Sequence, residues 1–276
     1  LVKTEYVKFS GDGNAGSTGY VLEPYLQTKD RGINFFTDDA LFEEVEKFDR
    51  MGMGVTIHAT GDAAVRQMID AVERVKKKHG ELKARHQIAH ASMIHPDDIS
   101  RLKSLDITAE FSPVVWFATE FVKAQIPQIG EDRMTYWYPM RSVAMSGGRF
   151  AIASDGPLMW QNTFQRLESA ITRVSPDGGT EPLAPHEAIV LPVAVKAMTL
   201  DSAYLMNIED EVGSIEVGKL ADMIVLDRNL FDIPATEISE SKVLLTILNG
   251  KVVFDANSSP SGEEAIEKRY DVELDF

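Results

Sequence analysis

Short apolar runs alternate with helix-like stretches along residues 1–206. The strand-like runs cover residues 5–10, 54–59, 85–91, 107–112 and 149–154. Between them, stretches such as 38–50 and 62–79 carry apolar residues at helical spacing. Strands that alternate with helices are typical of βα units and a parallel sheet. We therefore predict an α/β fold for residues 1–206.

The pattern changes after residue 206 to strands joined by tight turns. Residues 213–227 and 243–255 contain β-rich runs, and Asn249–Gly250 is a strong signal for a two-residue hairpin turn. We predict that residues 207–255 form a small β-domain portion. Residues 256–276 are polar and acidic, and they predict a surface tail.

The composition narrows the classes of partner. The chain has 276 residues, with 28 basic and 43 acidic side chains and a formal charge of −15. An acidic surface repels phosphate backbones and anionic lipid, so we expect neither nucleic acid nor a membrane as a partner. The sequence contains no apolar run of the roughly 20 residues that span a bilayer. No signal-peptide pattern follows Leu1. We expect a small-molecule substrate and a cytoplasmic location.

The sequence contains no cysteine. This excludes disulfide bonds, thiolate nucleophiles and sulfur ligands for metals. Any metal ion must therefore be bound by histidine, carboxylate or modified lysine side chains.

Four polar residues recur at equivalent strand ends: Lys8, His58, His90 and Asp155. Period-two alternation makes each of them the last inward-pointing candidate before a turn. In a barrel of parallel strands, the carboxyl ends of the strands form the active site. Two imidazoles, a carboxylate and a lysine at that edge predict a site for zinc or a harder cation.

Each residue also has an ordinary structural interpretation. A single histidine at a strand end is usually a hydrogen-bonded residue of the core or rim. Asp155, within Ser-Asp-Gly-Pro, could shape a turn, and Lys8 could be a solvated charge. His86 lies two residues before Ile88 on the face predicted for His90. It could therefore orient the His90 ring without binding the ion itself. The recurrence at four equivalent strand ends strengthens the case for a site, and on the residues alone both interpretations stay open.

The sequence resembles the amidohydrolase superfamily, and within it the amidohydrolase-3 group of YtcJ-like enzymes. The motifs that carry the resemblance are YVKFSGDG at 6–13, VTIHATGDAAV at 55–65, RHQIAHA at 85–91 and AIASDGP at 151–157. The segment GSIEVGKLADMIVLD at 213–227 is similar to the closing β-domain segment of many amidohydrolases.

This resemblance implies a distorted TIM-type (β/α)₈ barrel with a small β-sandwich domain, and a centre of one or two divalent metal ions, most often zinc. Lys8 matches the lysine of the fourth barrel strand, which is carbamylated in many members. His58 and His90 match the histidine ligands of strands five and six. Asp155 matches the strand-eight aspartate, which touches the metal and serves as the general base.

Two departures from the family pattern are visible. Ala89 stands where an acidic residue commonly precedes the strand-six ligand, and the His-x-His pair of strand one is absent from the sequence. The five predicted strands then correspond to strands four to eight only. We expect the chain to be the C-terminal portion of a larger amidohydrolase. Because an opened barrel has unpaired edges, we expect a homo-oligomer or association with the missing N-terminal half.

The predicted function is metal-dependent hydrolysis of a non-peptide C–N bond, in an amide or cyclic amide, by a metal-activated water. Two alternatives stay open. The chain could be a catalytically incompetent fragment or interaction module, because the strand-one ligands are absent. It could also be a deaminase that acts on a ring C–N bond.

Overall fold

The computed structural model describes residues 4–156 and 162–258. A parallel sheet of five strands lies at its centre, with the strands in sequence order. The strands are β1 (Tyr6–Ser10), β2 (Gly54–Ala59), β3 (Gln87–His90), β4 (Thr108–Phe111) and β5 (Arg149–Ile152). This arrangement confirms the predicted α/β fold. Closure of such a sheet into a barrel stays a prediction.

Helices connect these strands and follow the last of them. They are α1 (Asp38–Arg50), α2 (Asp62–His79), α3 (Pro96–Ser104), α4 (Glu120–Ile129), α5 (Glu131–Met134), α6 (Met140–Met145), α7 (Thr163–Thr172), α8 (Leu191–Met198) and α9 (Leu200–Leu205). Two short 3₁₀ segments cover Pro185–Glu187 and Ala235–Glu240. Local signals set several ends. Thr37 caps α1 by accepting a hydrogen bond from the N–H of Ala40, and α2 ends at Gly80, whose φ is 82°.

One face of the sheet packs against helices, and we call it the helix face. Val55, Ile57 and Ala59 of β2 are fully buried there, and α1 and α2 pack against this strand. The ring of Phe9 in β1 contacts Phe36 and Phe48 at centroid distances of 5.8 Å. Burial of these apolar side chains fixes the orientation of every strand, because successive residues point to opposite faces.

The opposite face carries polar side chains, and we call it the site face. One transverse row on this face crosses all five strands, because its members are successive register partners: Ser10, His58, Ala89, Glu110 and Ala151. We call these residues the site row. The row places a histidine and a glutamate on one surface, with an alanine between them.

The C-terminal strands form a separate antiparallel sheet in the order β6-β7-β8. They are β6 (Met223–Leu226), β7 (Val243–Leu248) and β8 (Lys251–Asp255). Positive φ angles at Asn249 (48°) and Gly250 (74°) confirm the predicted hairpin turn. The sandwich and the domain boundary at residue 206 stay predictions, and most of the predicted tail lies outside the described residues. No helix in the described ranges is long and apolar enough to cross a membrane.

Candidate active site

A cavity of about 440 Å³ lies at the carboxyl edge of the parallel sheet. His58, His90 and Asp155 contribute polar groups to its wall. The remaining wall is largely apolar or uncharged, with Ala15, Pro113, Val115, Phe121 and Tyr138 among its members. Three of the four residues predicted from strand ends therefore meet in one cavity.

The two histidines of this cavity lie side by side. Their ring centroids are 4.4 Å apart. Nε2 of His58 lies 3.0 Å from the carbonyl oxygen of Gly13, and Nδ1 of His90 lies 3.2 Å from that of Ser112. Metal-binding histidines typically bond a carbonyl or carboxylate through the ring nitrogen that does not bind the metal. Each ring therefore has one nitrogen oriented by the protein and another available to a ligand.

His90 reaches this position through an unusual backbone. Strand alternation places it on the helix face with Ile88, but its φ of 72° and that of Ala91 (43°) are both left-handed. This conformation is disfavoured for residues other than glycine and concentrates at functional sites. It turns the ring toward His58. The predicted common face of His86, Ile88 and His90 is therefore wrong at His90.

The electrostatic setting of His90 suits a metal ligand. Burial, together with the nearby charges of His58 and Lys8, lowers the pKa of His90 to about 4, although Asp155 opposes the shift. Its imidazole is therefore neutral at pH 7. The neutral form is the one that donates a lone pair to a metal ion.

Asp155 occupies the turn after β5. The strand ends at Ile152, earlier than the predicted end at residue 154, and Asp155 has a φ of 52°. Its side chain is half-buried and contributes to the cavity wall. The left-handed backbone at Asp155 and its place in the cavity wall are compatible with both interpretations, and its role in a site stays a prediction.

Lys8 lies on the site face but does not line the cavity. Its side chain is exposed, and its charge lowers the pKa of both His90 and Glu110. Uptake of CO₂ requires a neutral amine, which burial would favour. The described residues do not bury this amine, so carbamylation of Lys8 stays a prediction.

His86 lies on the helix face, away from the cavity. Its Nδ1 accepts a hydrogen bond from the N–H of Val55 at 3.2 Å, and its Nε2 lies 3.3 Å from Oδ1 of Asp49 in α1. The ring is fully buried between the sheet and this helix. The expectation that His86 supports His90 is therefore corrected: both of its ring nitrogens serve the packing of α1 against β2 and β3.

Asp12 is a site residue that the sequence reasoning missed. Its carboxylate accepts hydrogen bonds from the N–H groups of Tyr20, Thr60 and Gly61 at 2.8 to 3.1 Å. Its Oδ1 lies 3.6 Å from Nε2 of His58. Burial raises the pKa of Asp12 to about 6, although the N–H groups and His58 oppose the rise. The only sequence signal was its place in the Gly-Asp-Gly turn after β1.

Glu110 is the second residue that was missed. It belongs to the site row, between Ala89 and Ala151. Its Oε1 is buried and has no hydrogen-bond partner among the described residues. Burial raises the pKa of this carboxyl, while Ser112, the N–H of His90 and the charge of Lys8 oppose the rise. A glutamate inside the apolar run ITAEFS was the available signal.

The donor set fits part of a metal site. Within residues 4–156 and 162–258, no three His, Cys, Asp or Glu side chains are placed so that they could hold a metal ion together. His58 and His90 nevertheless have the spacing, the oriented ring nitrogens and, for His90, the neutral state of ligands. They fit as two ligands of a divalent ion.

Two histidines and an aspartate line one cavity at the carboxyl edge of the parallel sheet, and these residue types bind zinc in many hydrolases. A model of the Amidohydrolase family matches residues 2–254, and the chain belongs to this family. Membership implies a divalent metal ion as cofactor.

Three relatives are 26% to 28% identical to the chain over the aligned residues. Protein LONG AFTER FAR-RED 3 of Arabidopsis thaliana is 28% identical over 90% of this chain and 42% of its own length. The putative amidohydrolase YtcJ of Bacillus subtilis is 28% identical over 90% of this chain and 47% of its own. The N-substituted formamide deformylase of Arthrobacter pascens is 26% identical over 83% and 41%. The chain thus spans less than half the length of these relatives.

Two further matches are a relative named as a deaminase and a solved structure. A 5-methylthioadenosine/S-adenosylhomocysteine deaminase of Thermoanaerobacter pseudethanolicus is 24% identical over 78% of this chain and 49% of its own length. The crystal structure of an uncharacterized metal-dependent hydrolase from Pyrococcus furiosus superposes with a TM-score of 0.69 at 25% identity, over 81% of this chain and 44% of that one.

Proposed function

We propose that the protein hydrolyses a non-peptide C–N bond, in an amide or cyclic amide, with a metal-activated water as the nucleophile. The observation that carries this proposal is the single cavity in which the His58 and His90 rings and the Asp155 carboxylate meet. A metal ion bound by the two histidines would lie beside Asp155, the proposed proton acceptor.

His58 and His90 are the proposed ligands, and Zn²⁺ is the proposed ion because imidazole ligands suit it. When bound, the ion would polarise the scissile carbonyl and lower the pKa of a bound water to about 7. Lys8, in its carbamylated form, remains a further proposed ligand. Its exposure leaves it accessible from the site face.

Asp155 is the proposed general base. Its carboxylate accepts a proton from the attacking water and returns that proton to the leaving nitrogen. The half-buried side chain at the cavity wall supports this role. Because its charge already acts on His90, a proton gained by Asp155 changes the field at the ligand.

The cavity wall supports a neutral substrate with an apolar substituent. Phe121 and Val115 contribute apolar side chains, and the described wall contains no lysine or arginine. A carboxylate on the substrate would lie near Asp155 without a lysine or arginine side chain in the wall to pair with it. One relative is named an N-substituted formamide deformylase, which supports an amide that carries a substituent on nitrogen.

Deamination of a ring C–N bond is the second candidate, because several relatives are named 5-methylthioadenosine/S-adenosylhomocysteine deaminases. The same ligands and base would serve that reaction. A homo-oligomer and a cytoplasmic location also stay proposals, as does the alternative of an inactive interaction module.

The test combines metal content with a matched substrate panel, using the full-length protein purified without chelator. Formamides with benzyl, carboxymethyl and aminoethyl groups on nitrogen share one scissile bond and differ in charge. We expect about one or two Zn²⁺ per chain and the highest kcat/KM for the benzyl compound. Release of ammonia from aminopurines, without amide cleavage, would favour the deaminase instead.

Two histidine variants provide the control for this test. His58→Ala should lose metal and activity together. His79→Ala should retain both, because His79 ends α2 and its ring contacts Glu46 on the surface. A protein that binds no metal, with activity unchanged in His58→Ala, would contradict the proposed function.

A further inference from the structure

We propose that Asp12 is a positioning residue that orients the His58 ring, so that Nε2 carries the proton and Nδ1 keeps a lone pair for a metal ion. The proposal rests on the proposed function only in treating His58 as a metal ligand. The described wall of the cavity does not include Asp12. Asp12 therefore acts on the site through His58 and not on the substrate.

The Asp12 carboxylate ties the turn after β1 to the end of β2 and the start of α2. Its Oδ2 accepts hydrogen bonds from the N–H groups of Gly61 at 2.8 Å and of Tyr20 at 2.9 Å. Its Oδ1 accepts one from the N–H of Thr60 at 3.0 Å. The Asp12 side chain is fully buried. Because two of these donors directly follow β2, they fix the position of Asp12 relative to that strand.

The loop that contains Tyr20 packs closely on the same helix start. The N–H groups of Ala63 and Ala64 donate to the carbonyl oxygen of Tyr20 at 3.1 and 3.2 Å. A Cβ atom on Gly61 would lie 2.1 Å from that oxygen, so only glycine fits at this position. The loop therefore has little freedom to move away from β2 and α2.

The turn after β1 places two acceptors against one nitrogen of His58. The carbonyl oxygen of Gly13, the residue after Asp12, lies 3.0 Å from Nε2 of His58. The Thr60 hydroxyl donates to the same carbonyl at 2.8 Å and helps to hold it there. Because a carbonyl oxygen only accepts, the bond to His58 forms when Nε2 carries the proton. A neutral imidazole has one such proton, so Nδ1 then has the free lone pair.

The charge of Asp12 acts on His58 in the same direction. Its Oδ1 lies 3.6 Å from Nε2 of His58, which is too far for a hydrogen bond but close enough for an electrostatic effect. A negative charge on this side favours the proton on Nε2 and makes the opposite nitrogen a stronger donor of its lone pair. Asp12 thus has two effects on the ring: it positions the Gly13 carbonyl, and it supplies a charge.

Nitrogen NMR of the His58 ring in the metal-free full-length protein tests the position of the proton. The signals distinguish a ring nitrogen that carries a proton from one that does not, at a pH above the titration of the ring. We expect the proton on Nε2 in the native protein. Asp12→Asn removes the charge and brings an amide N–H₂ group near Nε2, which can accept from it only after the proton has moved to Nδ1. We therefore expect Asp12→Asn to shift the population toward the Nδ1 form.

A proton on Nδ1 in the native protein would overturn the proposal, as would native His58 signals in Asp12→Asn. Asp12→Ser is a second neutral variant, whose hydroxyl oxygen accepts from the same N–H groups without an amide N–H₂ group among them. It gives the same comparison if Asp12→Asn does not fold, and native His58 signals in Asp12→Ser would then overturn the proposal.

Zn²⁺ alone is the second probe, titrated into the metal-free protein against a chelator of known affinity. We expect Asp12→Asn to weaken Zn²⁺ binding by about 10–100-fold, the usual loss when a residue behind a ligand is removed. Unchanged affinity would contradict the role of Asp12. If the native protein binds no Zn²⁺, the proposed function fails, but the His58 signals still decide whether Asp12 positions the ring.

Asp62 provides a matched control. It is a buried aspartate in the first turn of α2, and its Oδ1 accepts a hydrogen bond from the N–H of Leu22 at 2.8 Å. It therefore ties the same loop to the same helix, and the described cavity wall does not include it. Asp62→Asn should lower the melting temperature without a change in Zn²⁺ affinity or in the His58 signals. Equal losses of affinity in Asp62→Asn and Asp12→Asn would show a general effect of loop stability and would also overturn the proposal.

Discussion

Two histidine–aspartate pairs, each with a fully buried carboxylate, behave in opposite ways. At the cavity, Nε2 of His58 lies 3.6 Å from Oδ1 of Asp12. Between the sheet and α1, Nε2 of His86 lies 3.3 Å from Oδ1 of Asp49. Both aspartate side chains are fully buried. Yet the pKa of Asp12 is raised to about 6, and that of Asp49 is held below its usual range.

The difference comes from the partners of each carboxylate. Burial alone would raise the pKa of Asp49, but hydrogen bonds from His86, from the Arg50 guanidinium and from two backbone N–H groups outweigh it. Asp12 has backbone N–H donors and a half-buried histidine but no arginine, so burial prevails there. At Asp49 the hydrogen bonds from His86 and from the Arg50 guanidinium, with those from the backbone, together outweigh burial.

The two histidines also differ in how many of their ring nitrogens the protein engages. Both ring nitrogens of His86 are engaged by the protein, with Val55 and with Asp49. His58 has one nitrogen bonded to the carbonyl of Gly13 and contributes to a cavity wall. A structural pair satisfies every polar atom, whereas a site keeps a lone pair for a ligand.

The largest expected effect is at the cavity. Asp155→Asn keeps the size of the side chain but removes the proton acceptor, so we expect kcat to fall by about 10²–10⁴-fold. Bound metal should be largely retained. Steady-state kinetics and metal analysis on the same sample check both. Unchanged turnover would remove Asp155 from the proposed role.

The structural pair should show the reverse pattern. Asp49→Asn leaves Arg50 and His86 without their anionic partner, and we expect the free energy of unfolding to fall by about 3–5 kcal/mol at pH 7. Zn²⁺ affinity of the folded protein should not change. Denaturant unfolding followed by circular dichroism measures the loss. A metal-binding defect in the folded variant would show that the two pairs are not separate.

The lowered pKa of Asp49 also predicts how its contribution to the free energy of unfolding changes with pH. Because the folded state favours the charged carboxylate, this stabilisation is present above the unfolded pKa of about 3.9 and is lost as the pH falls toward the folded pKa. The difference in unfolding free energy between the native protein and Asp49→Asn should therefore shrink below about pH 4. A difference that grows on acidification would contradict the sign of the shift.

The smallest expected effect lies near the amino ends of β3 and β5, far along the strands from the cavity. The Tyr204 ring has the Arg85 guanidinium 3.6 Å and the Arg149 guanidinium 3.5 Å from its centroid. Tyr204→Leu should cost about 1–2 kcal/mol of stability without a change in kcat. Tyr204→Phe keeps the ring and should lose less, although it removes the hydroxyl contact to Asp106. Calorimetry of the two variants measures this difference.

Much of the fold was predictable because its signals are local. Alternation gave β2 with its exact bounds, and helical spacing gave α1 over residues 38–50, whose start the Thr37 cap fixes in the structure. The Asn249–Gly250 turn followed from the same kind of short-range rule. These features depend on residues a few positions apart, so hydrophobic periodicity and capping chemistry suffice.

The candidate site also has one part that local sequence patterns predict and another part that they do not. The sequence predicted that His58, His90 and Asp155 lie at strand ends, and parallel strands bring such ends to one edge. It could not predict the left-handed φ of His90, which turns this ring toward His58 and away from the helix face where His86 and Ile88 lie.

Only the tertiary structure brought Asp12 to Thr60 and His58, 48 and 46 residues away along the chain, and Glu110 to the row that contains His58. The sequence determined which residues could form strands, helices and metal ligands. The packing of those strands in register decided which carboxylates are buried beside which histidines, because burial and pairing depend on neighbours that no local pattern records.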